Sequence, residues 1–272
     1  MIQGGPEAWD IFVLAVVQGL TEFLPVSSSG HLVLFGSYLE VEQMGLGIGV
    51  GLHLGTLMAV LAHYRRDLGG MAFGALRGER GSWREIGLLG LATVPAALVA
   101  LFLRDALDEL FREPVWTAWA LLVTAGWLLL GARAHRRAGA DPKAAGSEEA
   151  GSIGVGRALG MGLAQAVAIV PGISRSGSTI ATGMMMGGGS RPASRFSFLM
   201  SVPAIAGAGL LDAFDGDLFA GLGPGLFALG LFTAAIVGWG ALRATLWSVE
   251  RGKLGWFALY CLAAGGLNLL LF

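Results

Sequence analysis

The side chains able to do chemistry fall into two short blocks set in apolar surroundings. The first is Gln18-Gly-Leu-Thr-Glu22-Phe-Leu-Pro25-Val-Ser27-Ser28-Ser29-Gly30-His31. The second is Gln165-Ala-Val-Ala-Ile-Val-Pro171-Gly172-Ile-Ser174-Arg175-Ser176-Gly177-Ser178-Thr179. Gln18 and Glu22 are four apart and share one helix face. A buried carboxylate with no basic neighbour in its own helix can hold a divalent cation, act as a general base, or pair with Arg175. Ser28 and His31 are three apart, which places a nucleophile beside an acid/base group. Arg175 offers a fixed charge and a two-pronged fork for phosphate oxygens, or else forms an intramembrane ion pair with Glu22. Ser27 or Ser28 can cap a helix that runs on through His31, and Ser174 one that runs on through Thr179. Two such helix starts at the bilayer midplane would aim free N–H groups into one cavity, which suits a diphosphate. The hydroxyls of Ser174, Ser176, Ser178 and Thr179 add donors.

The elements that must hold these blocks are repeated. A shift of 147 residues lays Gln18 on Gln165, Ser27 on Ser174, Ser29 on Ser176 and Gly30 on Gly177. After a five-residue deletion, Gly-Thr-Leu57-Met58-Ala-Val60-Leu-Ala62 matches Ser-Phe-Leu199-Met200-Ser-Val202-Pro-Ala204. The chain therefore reads as two diverged copies of one unit.

The residues are 54% hydrophobic and only 14% charged, against about 25% charged in soluble domains. With a mean hydropathy of +0.68, this is an integral membrane protein. Spans are expected near 46–64, 84–103, 115–132, 196–212, 224–242 and 254–272. Two further apolar stretches, 8–40 and 155–190, break at Pro/Gly/Ser clusters and read as re-entrant hairpins. Irregular backbone at that depth must face protein or a watery cavity, not lipid. The expected class is thus all-α, with six transmembrane helices plus two re-entrant hairpins in two inverted repeats. Residues 1–137 form the first repeat, 138–154 a cytoplasmic linker, and 155–272 the second.

Charge sets the orientation. Loops 65–84, 133–157, 191–195 and 243–253 hold fifteen of the 18 Lys and Arg residues. The opposite loops carry Asp105, Asp108, Glu109, Glu113, Asp212, Asp215 and Asp217. The positive-inside rule makes the basic loops cytoplasmic and puts both termini outside. No basic residue precedes the first apolar run, which argues against a cleaved signal peptide. No basic patch interleaved with aromatics supports a nucleic-acid partner. Cys261 reads as a packed thiol, His53 as a packing or structural histidine, and His63 and His135 as interfacial. Met184–Met186 read as core filler and Gly187–Gly189 as a turn or close helix contact.

At the two blocks, and at Arg191 with Phe196-Ser-Phe-Leu, the sequence closely resembles the undecaprenyl-diphosphate phosphatases of the bacitracin-resistance type, over essentially the whole chain. The resemblance implies a multi-pass enzyme of the bacterial plasma (inner) membrane with its active site open to the extracytoplasmic side. Its substrate would be a membrane lipid, the C55 isoprenoid diphosphate, and its product the carrier lipid for peptidoglycan. It also implies dependence on Mg²⁺ or Ca²⁺. Carried over by position, the family's functional residues fall on Gln18, Glu22, Ser28, His31, Ser174, Arg175 and Thr179. Gln18 stands where relatives also carry glutamate, so Glu22 must carry more of the metal or base role.

The expected reaction is hydrolysis of the terminal phosphate. Glu22, Ser28, His31 and Arg175 are the catalytic group, with Gln18, Ser27, Ser174, Ser176 and Thr179 binding substrate and Glu22 holding the metal. Attack by water or by His31 stays open, and a homo-oligomer is compatible with this reading without being indicated by it. The rival is an inverted-repeat transporter or flippase of a lipid phosphate or anion, since broken helices at the midplane are common there. Glu22, Ser28 and His31 separate the two, because transport does not require them.

Overall fold

The computed structural model describes residues 7–38, 46–103, 114–140, 153–214 and 223–271, and these are helices joined by short connections. Helix α1 (Ala8–Phe23) opens where the Glu7 backbone N–H donates to the Asp10 carboxylate at 2.9 Å. It stops before Pro25, whose ring disfavours helical backbone at Leu24. Helix α2 (Ser28–Tyr38) restarts after Ser27, which adopts φ +72°. Helices α7 (Val155–Val167) and α8 (Arg175–Met185) form the second broken pair, around Pro171 and Gly172, with φ +94° at Gly172. At 16, 11, 13 and 11 residues, the four are about 24, 16, 20 and 16 Å long. None crosses a hydrocarbon core of about 30 Å alone. The halves of each pair pack against each other.

The other helices are α3 (Leu46–His63), α4 (Arg65–Leu76), α5 (Arg80–Phe102), α6 (Pro114–Ala140), α9 (Ser190–Phe214), α10 (Pro224–Glu250) and α11 (Leu254–Leu271). Five of them, α5, α6, α9, α10 and α11, are long and apolar enough to cross a membrane. The remaining expected span, 46–64, is helical from Leu46 to His63, and Gly51–His63 within it is apolar. Asp212, expected in an acidic loop, falls in the last turn of α9; the other acidic-loop residues, residues 141–152 of the linker and the chain ends before residue 7 and after residue 271 lie outside the described residues.

The stretches read as basic loops are largely helical: 133–140 end α6, 191–195 lie in α9 and 243–250 end α10. Most of 65–84 folds as α4, which lies back along α5 with Met71 and Gly74 buried. Arg195, on α9, explains why. Its Nε donates to Asp67 on α4 at 2.7 Å, and its Nη1 to Glu85 on α5. A partner 128 residues away thus turns a charged loop into a docked helix.

Each first half-helix is held by a long helix from elsewhere in the chain: α1 packs on α10, and α7 on α5. Small residues permit this closeness. A Cβ on Gly19 would lie 2.8 Å from the Val237 Cβ and 3.0 Å from the Ala234 carbonyl oxygen. Phe23, at the end of α1, packs edge-on to Phe198 of α9 with centroids 5.7 Å apart. Both rings are fully buried. That contact sits one residue from Glu22, so the main core anchors the carboxylate's backbone.

Candidate active site

The two motif loops meet. A Cβ on Gly30 would lie 2.9 Å from the Gly172 Cα, and the Ser176 hydroxyl donates to the Leu24 carbonyl at 3.4 Å. The loops also repeat one hydrogen-bond pattern at the 147-residue offset. Ser27 Oγ accepts from the Gly30 N–H at 3.2 Å, and Ser174 Oγ from the Gly177 N–H at 3.1 Å. Ser27 and Ser29 hydroxyls are 3.3 Å apart, and those of Ser174 and Ser176 are 3.4 Å apart. His31 Nδ1 meets the Ser27 carbonyl at 2.7 Å, and the Ser178 hydroxyl meets the Ser174 carbonyl at 2.6 Å.

Glu22 is where the loops converge chemically. Its Oε1 accepts from Arg175 Nη2. Its Oε2 accepts from Ser28 Oγ at 2.6 Å and from Gln18 Nε2 at 3.1 Å. Ser28 and Arg175 are equivalent positions of the two loops, each first in its half-helix. The repeated backbone therefore delivers a hydroxyl from one side and a guanidinium from the other onto one carboxylate.

Two polar atoms beside this cluster are buried and have no hydrogen-bond partner: Arg175 Nη1 and Gln18 Oε1. An unmatched buried donor or acceptor costs roughly 1–3 kcal/mol, so a pair of them next to one charge calls for a ligand. The donor suits an anionic oxygen, and the acceptor suits a cation or a protonated oxygen.

The structure sorts the other expected residues. Ser27 and Ser174 hold the loop turns, and Ser176 bridges the loops. Thr179 donates to the Arg175 carbonyl at 2.8 Å and shares a 2.6 Å bond with Ser197, tying α8 to α9. These hydroxyls are occupied in building the scaffold. His31 does not bond Ser28: its Nε2 meets the Tyr260 hydroxyl at 2.6 Å. The group bonded to Ser28 is Glu22.

Three residues join the site from spans outside the two blocks. His53 of α3 places Nε2 3.6 Å from Glu22 Oε2, while its Nδ1 bonds the Gly49 carbonyl at 2.7 Å. An ionisable residue inside an apolar span was the available signal. Thr124 of α6 braces the second loop, donating to the Gly172 carbonyl and accepting from the Ser174 N–H, both at 2.9 Å. Tyr260 of α11 reaches His31, and the adjacent Cys261 lies 3.9 Å from the Pro25 carbonyl.

Known proteins match the chain across both loops. A family model described as bacitracin resistance protein BacA matches residues 11–267. An undecaprenyl-diphosphatase of Rubrobacter xylanophilus is 44% identical over 269 residues, covering 94% of each chain. One of Desulfosudis oleivorans is 40% identical, covering 94% of this chain and 96% of its own. One of Desulforudis audaxviator is also 40% identical, covering 93% of both. A match spanning both loops and the helices that hold them leaves no part of the site outside it, and the chain belongs to the bacitracin resistance protein BacA family.

Proposed function

We infer that this chain is an undecaprenyl-diphosphate phosphatase of the inner membrane, which removes the terminal phosphate to leave undecaprenyl phosphate. The observation that carries the site assignment is the convergence of Ser28 and Arg175 on Glu22, with Arg175 Nη1 and Gln18 Oε1 left unmatched beside it.

Ser28 attacks the terminal phosphorus, and Glu22 Oε2, already 2.6 Å from Ser28 Oγ, takes the proton. The bond from phosphorus to the bridging oxygen breaks, and undecaprenyl phosphate leaves with that oxygen's electrons. Water then cleaves the phosphoserine, releasing inorganic phosphate and restoring the Ser28 hydroxyl. Arg175 holds the phosphoryl oxygens as charge builds on them; positioning and electrostatics are the protein's main contribution to such transfers.

The donor set fits a divalent cation shared with the substrate. Glu22 and the free Gln18 carbonyl are hard oxygen ligands on one helix face, and Mg²⁺ is commonly held by one or two carboxylates plus phosphate oxygens. Among the described residues no cluster of three His, Cys, Asp or Glu side chains forms a cage. A bound Mg²⁺ or Ca²⁺ would neutralise charge on the diphosphate.

The repeated loop pattern supports two inverted repeats carrying six spans and two re-entrant hairpins, divided at the 138–154 linker. The acidic loops and both termini then lie on the extracytoplasmic side, where the site opens. The isoprenoid stays in the bilayer while its head group enters.

The test is phosphate release from C15 and C55 isoprenyl diphosphates by detergent-purified protein, with Mg²⁺, with Ca²⁺ and with chelator. Metal-dependent release lost in both Arg175→Ala and Ser28→Ala is the expected result. No release from folded wild type removes the enzyme reading. Release lost only in Arg175→Ala removes Ser28 as nucleophile.

A further inference from the structure

His31 has two ring nitrogens, and neither meets Ser28. Nδ1 faces the Ser27 carbonyl at 2.7 Å. A carbonyl only accepts, so Nδ1 carries a proton and the neutral ring keeps its lone pair on Nε2. That lone pair meets the Tyr260 hydroxyl at 2.6 Å, and the rings stack with centroids 5.6 Å apart and planes 13° apart. His31 is 4% exposed and Tyr260 47%, so Tyr260 lies open along one flank and turns its hydroxyl inward onto a buried imidazole.

The second loop shows what the fold alone requires at this position. There Ser178 makes the same contact with the carbonyl four residues back, at 2.6 Å. A hydroxyl is enough to close that turn. What an imidazole adds is Nε2, and Tyr260 is the group that holds it. Tyr260 also shares its helix with Cys261, whose thiol lies against the Pro25 carbonyl. Helix α11 therefore grips the first loop on both sides of the Ser27 turn, which gives the hydroxyl a defined place relative to Ser28.

We propose that Tyr260 is a positioning residue for the phosphatase reaction, acting through His31: its hydroxyl fixes Nε2 and its ring fixes the imidazole plane. This rests on the phosphatase reading and extends it to a residue outside both sequence blocks. Glu22 bonds the Ser28 hydroxyl, while His31 and Tyr260 form a separate pair that fixes the loop on which Ser28 stands.

The experiment is a double-mutant cycle on the full-length protein in detergent, reading phosphate release from a C15 diphosphate. Tyr260→Phe keeps the ring and loses the hydroxyl. His31→Ser restores the residue type of the second loop and keeps a partner for the Ser27 carbonyl. Tyr260→Phe should lower kcat by roughly 10-fold, less than the roughly 10²–10⁴ of a lost acid–base group because the His31 ring stays in place, with KM unchanged within about twofold. His31→Ser should lower kcat by roughly 100-fold. The double variant should match His31→Ser alone, because the hydroxyl has nothing left to position. Multiplying losses, or wild-type kcat in Tyr260→Phe, overturns the proposal. Wild-type turnover in His31→Ser overturns it too, while the phosphatase reading survives on Arg175 and Ser28. A phosphatase failure would show separately as an inactive wild type. Should Tyr260→Phe unfold, Tyr260→Leu, which likewise lacks the hydroxyl, carries the same comparison.

Discussion

Replacing Glu22 by glutamine should separate stability from activity. The change is isosteric, so packing against Phe23 and the α10 helix stays as it is. The amide cannot take the Ser28 proton, and the loss of a general base costs about 10²–10⁴ in rate, or roughly 3–5 kcal/mol of barrier at 1.36 kcal/mol per tenfold. Stability suffers for another reason. Arg175 loses the one anion bonded to it among the described residues, and its side chain is 17% exposed. Removing one partner of a fully buried pair costs about 3–5 kcal/mol; with that residual exposure about 2–3 kcal/mol is expected. At roughly 2–4 °C per kcal/mol, the melting temperature falls by roughly 4–12 °C. Adding Arg175→Met removes the stranded charge, so Glu22→Gln/Arg175→Met should recover most of the melting temperature while staying inactive. Thermal melts and phosphate release on the same four preparations give both readings. A double variant that melts below Glu22→Gln would refute the claim that Glu22 compensates Arg175. Substantial turnover in Glu22→Gln would refute its role as base.

Gly30→Ala places a methyl 2.9 Å from the Gly172 Cα, where backbone cannot yield, so the loops must part and kcat should drop by about 10–100-fold; wild-type turnover would show that loop contact is not needed. At position 53, His53→Gln keeps a polar side chain beside Glu22 and should retain most activity, whereas His53→Leu should lose about tenfold; equal kinetics for the two would make His53 a packing residue. Arg195→Ala leaves Asp67 and Glu85 facing each other. Both are about a third exposed, so the cost is about 1 kcal/mol, read as a melting temperature roughly 2–4 °C lower with kcat/KM unchanged.

How much of this was legible depended on whether the cause was local. Pro25, Pro171, Gly172 and the serines break helices by their own chemistry, so both broken pairs stand in the sequence with nearly their observed ends. The 147-residue offset predicted that Ser27 and Ser174 play the same part, and the same hydrogen bonds form at both. Helix α4 was not legible, because Arg65, Arg66, Arg77 and Arg80 read as a solvated loop and the residue that docks it, Arg195, lies far along the chain. For the same reason His53 was read as a packing or structural histidine and Tyr260 was not singled out. Each contacts its partner across a helix interface, and neither the 31 residues from Glu22 to His53 nor the 229 from His31 to Tyr260 leave any local periodicity.

The site itself is best understood as asymmetry placed on a repeated frame. Both loops carry the same serine turn, the same glycine contact and the same short bond from position 31 or 178 back to a carbonyl. Had the two copies stayed identical, each would present the same group to the cavity, either two hydroxyls or two cations. Two cations would bind a diphosphate and leave it intact, and two hydroxyls would have no charge to hold it. With Ser28 in one loop and Arg175 in the other, the same backbone supplies an attacking oxygen and a fixed positive charge at the same carboxylate. Glu22 has no counterpart, since Ile169 stands at the equivalent place, so the single buried anion answers to both loops at once. That is why the chemistry requires both proposed repeats: neither half of the chain contains a nucleophile, its base and the anion-binding group together.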